Sequence, residues 1–242
     1  DDFIQNYPDN FINAGVAEQN MTGIATGLAL EGKIVFTYSI ANFSTLRCLE
    51  QIRNDACYHG VNVNVVSIGG GFSYGALGSS HHATEDLSIM RSLPEITVVS
   101  PSSYWEVEKA TRAIVENEKV CYLRIDKSAG REKTNNLNES FLLGKSRMLT
   151  DGDVCTIFVT GGILEEVWEA HDELENLGYK TRIVSVHTLK PFDSDAVLNA
   201  AEQTGCIVSV EENTLDGGLG SLIAEILLDN GIFPKKFLLR SI

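Results

Sequence analysis

Along most of the chain, short unbroken apolar runs alternate with stretches in which apolar residues return every three to four positions. The runs fall at Ile34–Thr37, Val63–Ile68, Thr97–Ser100 and Val120–Ile125 in the first half. In the second half they fall at Val154–Val159, Thr181–Val186, Ile207–Val210 and Phe237–Leu239. Between them the longer period predicts helices at Glu18–Leu30, Leu46–His59, Glu85–Ser92 and Tyr104–Asn117, then at Leu164–Leu177, Asp193–Thr204 and Gly220–Asp229. Strands separated by helices require crossover connections, hence mostly parallel sheets. One stretch, DKSAGREKTNNLNES (Asp126–Ser140), is polar, holds no sustained apolar period and reads as a linker. The expected architecture is α/β, in two domains of residues 1–135 and 136–242, each a mostly parallel sheet flanked by helices.

Composition narrows the class without naming a function. The 242 residues are 43% hydrophobic and 21% charged, as in globular domains, and suffice for one large or two ordinary domains. No apolar run approaches a membrane span, and no signal peptide opens the sequence, which starts Asp1-Asp2. Nineteen basic residues against thirty-three acidic ones leave a net charge of −14. That argues against a nucleic-acid surface, yet a few local Arg or Lys residues would still hold a small anion. The five cysteines are odd in number and lack metal-ligand spacing. Cys121, Cys155 and Cys206, in strand-like runs, are expected to fill core, in a reducing, cytoplasmic setting.

Candidate chemistry concentrates in four stretches. In NAGVAEQNMTGIATGLAL (Asn13–Leu30) a single acid, Glu18, stands among small and apolar residues where an extended run turns into a helix. A helix-start carboxylate meets the orphan N–H groups and the positive end of the dipole. If the closely packed glycines and alanines also cover it, burial raises its pKa and lets it share a proton with a ligand nitrogen. In TYSIANFSTLRCLEQIRND (Thr37–Asp55), Tyr38 and Phe43 lie at and beyond a strand end, where α/β sheets build ligand sites, and Arg47 opens the next helix. Such aromatics either sandwich a flat heterocycle or pack as core.

The third stretch, Ser67–Pro94, holds five glycines at 69, 70, 71, 75 and 78 and ends in His81-His82 before Glu85 and Asp86. It is no Walker loop. The two adjacent histidines diverge too much to share an ion, so His81 reads as a substrate contact. The fourth, VCYLRIDK, places Arg124 at a strand end, either as a bidentate anion clamp or as an ion-pair residue. Elsewhere, DGGLGS at Asp216–Ser221 opens a helix and reads as a tight turn or an anion site. His187 is expected at a surface or interface.

Taken in order, GVAEQNMTGIATGLAL, LRCLEQIR, EDLSIMRSLPEITVVSPSS, CYLRIDK, HTLKPFDSD and VEENTLDGGLG resemble the transketolase family over nearly the whole chain. The matched part is the pyrimidine-binding domain and the smaller C-terminal domain, and it looks short at both ends. The resemblance does not take in the family's diphosphate- and metal-binding domain, which is expected on another chain. The resemblance therefore implies one subunit of a split transketolase, moving a two-carbon ketol unit between sugars or sugar phosphates. It implies thiamine diphosphate as cofactor, with Mg (or Ca) bound mainly by an N-terminal, diphosphate-binding partner subunit in a heterotetramer.

Within that resemblance Glu18 would exchange a proton with the cofactor's aminopyrimidine, as a catalytic and cofactor-binding residue. Phe43, Tyr38 and Arg47 would complete the cofactor site; His81 would contact substrate, with a catalytic role, and Arg124 would bind a substrate phosphate. No metal ligand is expected on this chain. The sequence departs from the family where stacking aromatics give way to Ala41 and Ser44, and where Leu77 and Gly69 replace a substrate aspartate and histidine. Those departures keep open a non-catalytic assembly subunit. Deoxyxylulose-phosphate synthases and 2-oxoacid dehydrogenase beta subunits share the domain pair, and Arg47 and the AEQN run also fit the former.

Overall fold

The structure, a computed structural model, describes residues 2–128, 130–131 and 139–242. The expected boundary near residue 135 lies outside the described residues.

Two five-stranded sheets organise the chain. In the first, the order is β1 (Val35–Ile40), β2 (Val63–Ile68), β4 (Val120–Ile125), β3 (Ile96–Val99) and β8 (Thr188–Lys190). In the second it is β10 (Lys236–Arg240), β9 (Cys206–Glu211), β6 (Cys155–Thr160), β7 (Thr181–Ser185) and β5 (Arg147–Thr150). All pairs are parallel except β3 with β8 and β5 with β7. The helices are α1 (Asp2–Asn6), α2 (Glu18–Leu30), α3 (Ala41–Thr45), α4 (Leu49–Gln51), α5 (Asp86–Ser92), α6 (Tyr104–Glu116), α7 (Leu164–Asn176), α8 (Ser194–Gln203) and α9 (Leu219–Asp229). No described helix is long and apolar enough to cross a membrane.

The α/β expectation holds, and Val63–Ile68, Val120–Ile125 and Glu18–Leu30 form with the predicted bounds. Three departures have physical causes. β5 and β8, four and three residues long, carry no periodic signature; antiparallel pairing to strands distant in sequence creates them. β8, from the second half, becomes the edge of the first sheet, so the halves share a sheet. The helix expected at Leu46–His59 starts at Ala41 and is broken by a 3₁₀ turn at Leu46–Cys48 and a π-helical stretch at Ile52–Cys57. The Ser44 and Thr45 hydroxyls bond back to the Ile40 and Ala41 carbonyls, competing with regular helix bonds at that start.

Packing joins the halves as well. The core around Ile52, Val63, Leu87, Met90, Val98 and Tyr122 includes Leu189 and Leu222 from the second half. Cys121 is buried as expected, but Cys155 and Cys206 open their strands and are only half-buried, whereas Cys48 and Cys57 are fully covered. His187 is likewise no surface residue. It is 1% exposed, its ring stacks on Phe141 at 4.1 Å, and Nδ1 lies 2.8 Å from the Thr188 hydroxyl.

A buried ion pair ties α6 to β5. Ser103 caps α6 by accepting from the Glu106 N–H at 3.3 Å, while Glu106 Oε2 accepts from the Ser102 N–H at 2.7 Å, a variant of the capping box. The other oxygen of Glu106 accepts from Arg147 Nη1 at 2.9 Å, and both side chains are almost wholly shielded from solvent. Arg147 also reaches Glu139 at 2.7 Å and lies over the Trp105 ring at 4.1 Å.

Arg147→Met strips Glu106 of its cation and should cost about 3–5 kcal/mol of folding stability in chemical denaturation, most of it recovered by adding Glu106→Gln. His187 supplies a pH signature. Burial, then the nearby Arg147 charge, lowers its pKa from 6.5 to about 3. A depressed folded-state value contributes stability that is full above pH 6.5 and lost as pH falls toward about 3. Melting curves of His187→Gln across that window should show a shallower acid loss than the parent.

Candidate active site

Glu18 is the first residue of α2, and the preceding Ala17 supplies no side-chain cap, so the Glu18 carboxylate itself meets the helix start. The Glu18 carboxylate, whose side chain is 9% exposed, accepts from Arg47 Nη1 at 2.7 Å. Arg47 is brought there by the 3₁₀ turn that follows α3. Its guanidinium carbon lies 4.6 Å from the centre of the Phe43 ring, a cation–π contact. Phe43 in turn meets His81 edge-on, with ring centres 5.1 Å apart. Four of the residues singled out from sequence thus form one connected run: Glu18, Arg47, Phe43, His81.

The glycine-rich loop delivers His81. Gly71 and Ala83 exchange two backbone hydrogen bonds, of 2.7 and 3.0 Å, and close the loop at its neck. Asn42 Nδ2 donates to the Ser80 carbonyl at 2.7 Å and docks the loop on α3. His81 and His82 diverge: Nδ1 of the first pairs with the Ser80 hydroxyl, while Nε2 of the second lies 3.2 Å from the Gly75 carbonyl. Asn42, and Ser39 beside Glu18, were not singled out from sequence. Their only signal was position at the C-terminal end of a strand (Ser39) or just beyond it (Asn42), where such sheets place ligand contacts.

The electrostatics correct one expectation. Burial pushes the Glu18 carboxyl up, but its own backbone N–H, the Arg47 guanidinium and Ser39 together outweigh it, and the pKa lies below the usual carboxylate value. The acid is covered yet well supplied with donors, so in this chain it rests as an anion.

Tyr38 does not join the run. Strand alternation sets it with Phe36 on the face opposite Ser39, and it is 65% exposed. Ala41 and Ser44 are fully buried, and Ser44 is hydrogen-bonded to Ser67 of β2, so these positions serve the core. Arg124 forms ion pairs, as one of its two sequence readings had it, but buried rather than at the surface. Its side chain is 2% exposed; Nη2 donates to the Glu212 carbonyl at 2.8 Å, Nε faces Asp126 at 3.4 Å and Nη1 faces Asp86 at 3.7 Å. The guanidinium thus lies buried between two carboxylates of this chain, and Nε has no hydrogen-bond partner among the described residues. The anion site at Asp216–Ser221 is filled internally: Glu211 accepts from the Leu219 and Gly220 N–H groups at 2.7 and 2.8 Å.

An open depression of about 350 Å³ lies on the second sheet, between Met148, Arg182 and Asn199. There Arg182 is already held by Asp151 and Gln203, and the depression shares no residue with the Glu18 run. Among the described residues no group of three or more His, Cys, Asp or Glu side chains is placed to hold a metal ion. The Glu18 run does fit a flat nitrogen heterocycle: a covered carboxylate lies two contacts from a partly exposed aromatic ring.

Comparison with known proteins identifies the family. Residues 2–133 match the transketolase pyrimidine binding domain and residues 144–238 the transketolase C-terminal domain. One of the subunits of the apulose-4-phosphate transketolase of Phocaeicola vulgatus is 35% identical over 231 residues, spanning 96% of this chain and 74% of that protein. The 6-deoxy-6-sulfo-D-fructose transketolase subunit SqwH of a Clostridium species is 38% identical over 234 residues, 97% of this chain and 72% of that one. A solved split-gene transketolase, described as an inactive beta4 tetramer, superposes with a TM-score of 0.85 at 35% identity, over 100% of this chain and 77% of its own. The chain therefore belongs to the transketolase family and comprises its pyrimidine-binding and C-terminal domains.

Proposed function

We propose that this chain is the pyrimidine-binding subunit of a split, thiamine-diphosphate-dependent transketolase that transfers a two-carbon ketol unit between sugars or sugar phosphates. The observation that carries the reading is the connected run Glu18–Arg47–Phe43–His81. Bound thiamine diphosphate would supply the nucleophilic carbon and the electron sink for breaking a ketose carbon–carbon bond. Glu18 accepts and returns a proton at the pyrimidine ring. Arg47 keeps that carboxylate anionic between turnovers, and Phe43 offers its ring to the heterocycle. His81, at the loop end of the run, hydrogen-bonds the substrate's oxygens.

The diphosphate and its Mg²⁺ or Ca²⁺ belong, in this proposal, to a separate N-terminal subunit, with two copies of each chain in the assembly. Exposed apolar side chains support a partner: Phe11, Ile12 and Val16 precede α2, and Phe36 and Tyr38 lie on the edge strand β1. Tyr38 is assigned to that covered face rather than to the cofactor. The two domains are taken to meet near residue 135.

The isolated chain with thiamine diphosphate and Mg²⁺ should show no transferase activity, which should appear on titration with the diphosphate-binding subunit. No carbon dioxide should be released from pyruvate; its release would move the chain to the deoxyxylulose-phosphate-synthase or 2-oxoacid dehydrogenase reading. In the assembled enzyme Glu18→Gln should lower kcat at least about 100-fold. Calorimetry that finds no thiamine diphosphate binding to the assembly would instead make this a non-catalytic subunit.

A further inference from the structure

The loop that carries His81 packs at its neck against the C-terminal domain. Both legs of its neck touch the segment after β9. On one leg, an added Cβ at Gly71 would lie 2.6 Å from the Glu212 Cβ. On the other, the Thr84 carbonyl accepts from the Thr214 N–H at 2.5 Å. Just before the first leg, Gly70 rests on the Arg124 side chain so closely that an added Cβ would fall 1.7 Å from Nε. Arg124 is itself hydrogen-bonded to the Glu212 carbonyl, attracted to the Asp86 and Asp126 carboxylates and 2% exposed, so it has little room to yield. A glycine at position 70 is therefore required by close approach, and the loop backbone is moulded on the guanidinium.

We propose that Arg124 is a positioning residue: it braces the glycine loop against the C-terminal domain and thereby sets where His81 meets the substrate. The proposal rests on the site reading above and deepens it. It gives the C-terminal domain a part in substrate binding, although that domain contributes no side chain to the Glu18 run.

Two substitutions test it. Gly70→Ala forces the guanidinium aside; Arg124→Ala removes it. Hydrogen exchange over residues 72–82 of the chain should be faster in both. In the assembled enzyme, with 3-hydroxypyruvate as ketol donor, Gly70→Ala should raise donor KM about tenfold while thiamine diphosphate affinity stays within about twofold. The effects should not add. In the Arg124→Ala background Gly70→Ala has nothing left to displace, and in the His81→Ala background the loop has nothing left to aim.

Unchanged exchange over the loop in Gly70→Ala overturns the brace. Faster exchange with unchanged donor KM, or penalties fully additive with His81→Ala, overturns its role in substrate binding. Failure of Arg124→Ala to fold leaves the Gly70→Ala comparison decisive. A wild-type assembly inert toward every ketose donor would remove the transferase reading, and the exchange result would still decide the brace.

Discussion

The Arg124 guanidinium, stripped of water where the first sheet meets the C-terminal domain, is the charge around which the rest is arranged. Taking such an ion out of water costs several kcal/mol, and only close, well-directed partners offset that. Burial opposes the charge, and the neighbouring Asp86 and Asp126 carboxylates raise its pKa and hold it cationic. Asp86 is engaged in turn by the Tyr122 hydroxyl at 2.5 Å, and Asp126 accepts from the Gly162 N–H at 2.6 Å. Moving either half would strand a buried charge. The two sheets, the glycine loop and the segment after β9 are therefore one mechanical unit, reinforced at a distance by the Glu106–Arg147 pair.

The chemistry is arranged differently from this internal bolt. Along the Glu18 run solvent access rises, from the 9% exposed Glu18 side chain to the 44% exposed side chain of Arg47. A carboxylate that must trade protons needs cover, and it needs donors that keep it from becoming a permanently neutral acid. Glu18 has both: the helix start and Arg47 hold it anionic, while the opening beside Arg47 and Phe43 leaves room for a heterocycle. The Arg124 and Glu106–Arg147 charges are sealed in, whereas the Arg47 end of the Glu18 run stays at the rim.

Most of the fold was legible from periodicity, because buried parallel strands and amphipathic helices write their burial directly into residue order. Glu18 and Arg47 were legible as site residues because helix starts and strand C-terminal ends have local signatures. The missed strands β5 and β8 have none, since both exist by pairing with partners far along the chain. Arg124 and His187 were misplaced for the same reason. A basic residue at a strand end reads as surface until a second domain closes over it, and His187 is covered by Phe141, 46 positions earlier in the chain.

The amino-acid sequence by itself determined the α/β class, its division into two α/β halves, the family and the acid at the head of α2, all matters of local pattern and residue order. Only the tertiary structure decided that Glu18 rests ionised rather than raised, that Tyr38 faces away, that Arg124 is buried beside two carboxylates, and that the second half supplies a strand to the first sheet. Each of these depends on which group lies within a few ångströms in space, and contact energies at that range follow distance and burial, not separation along the chain.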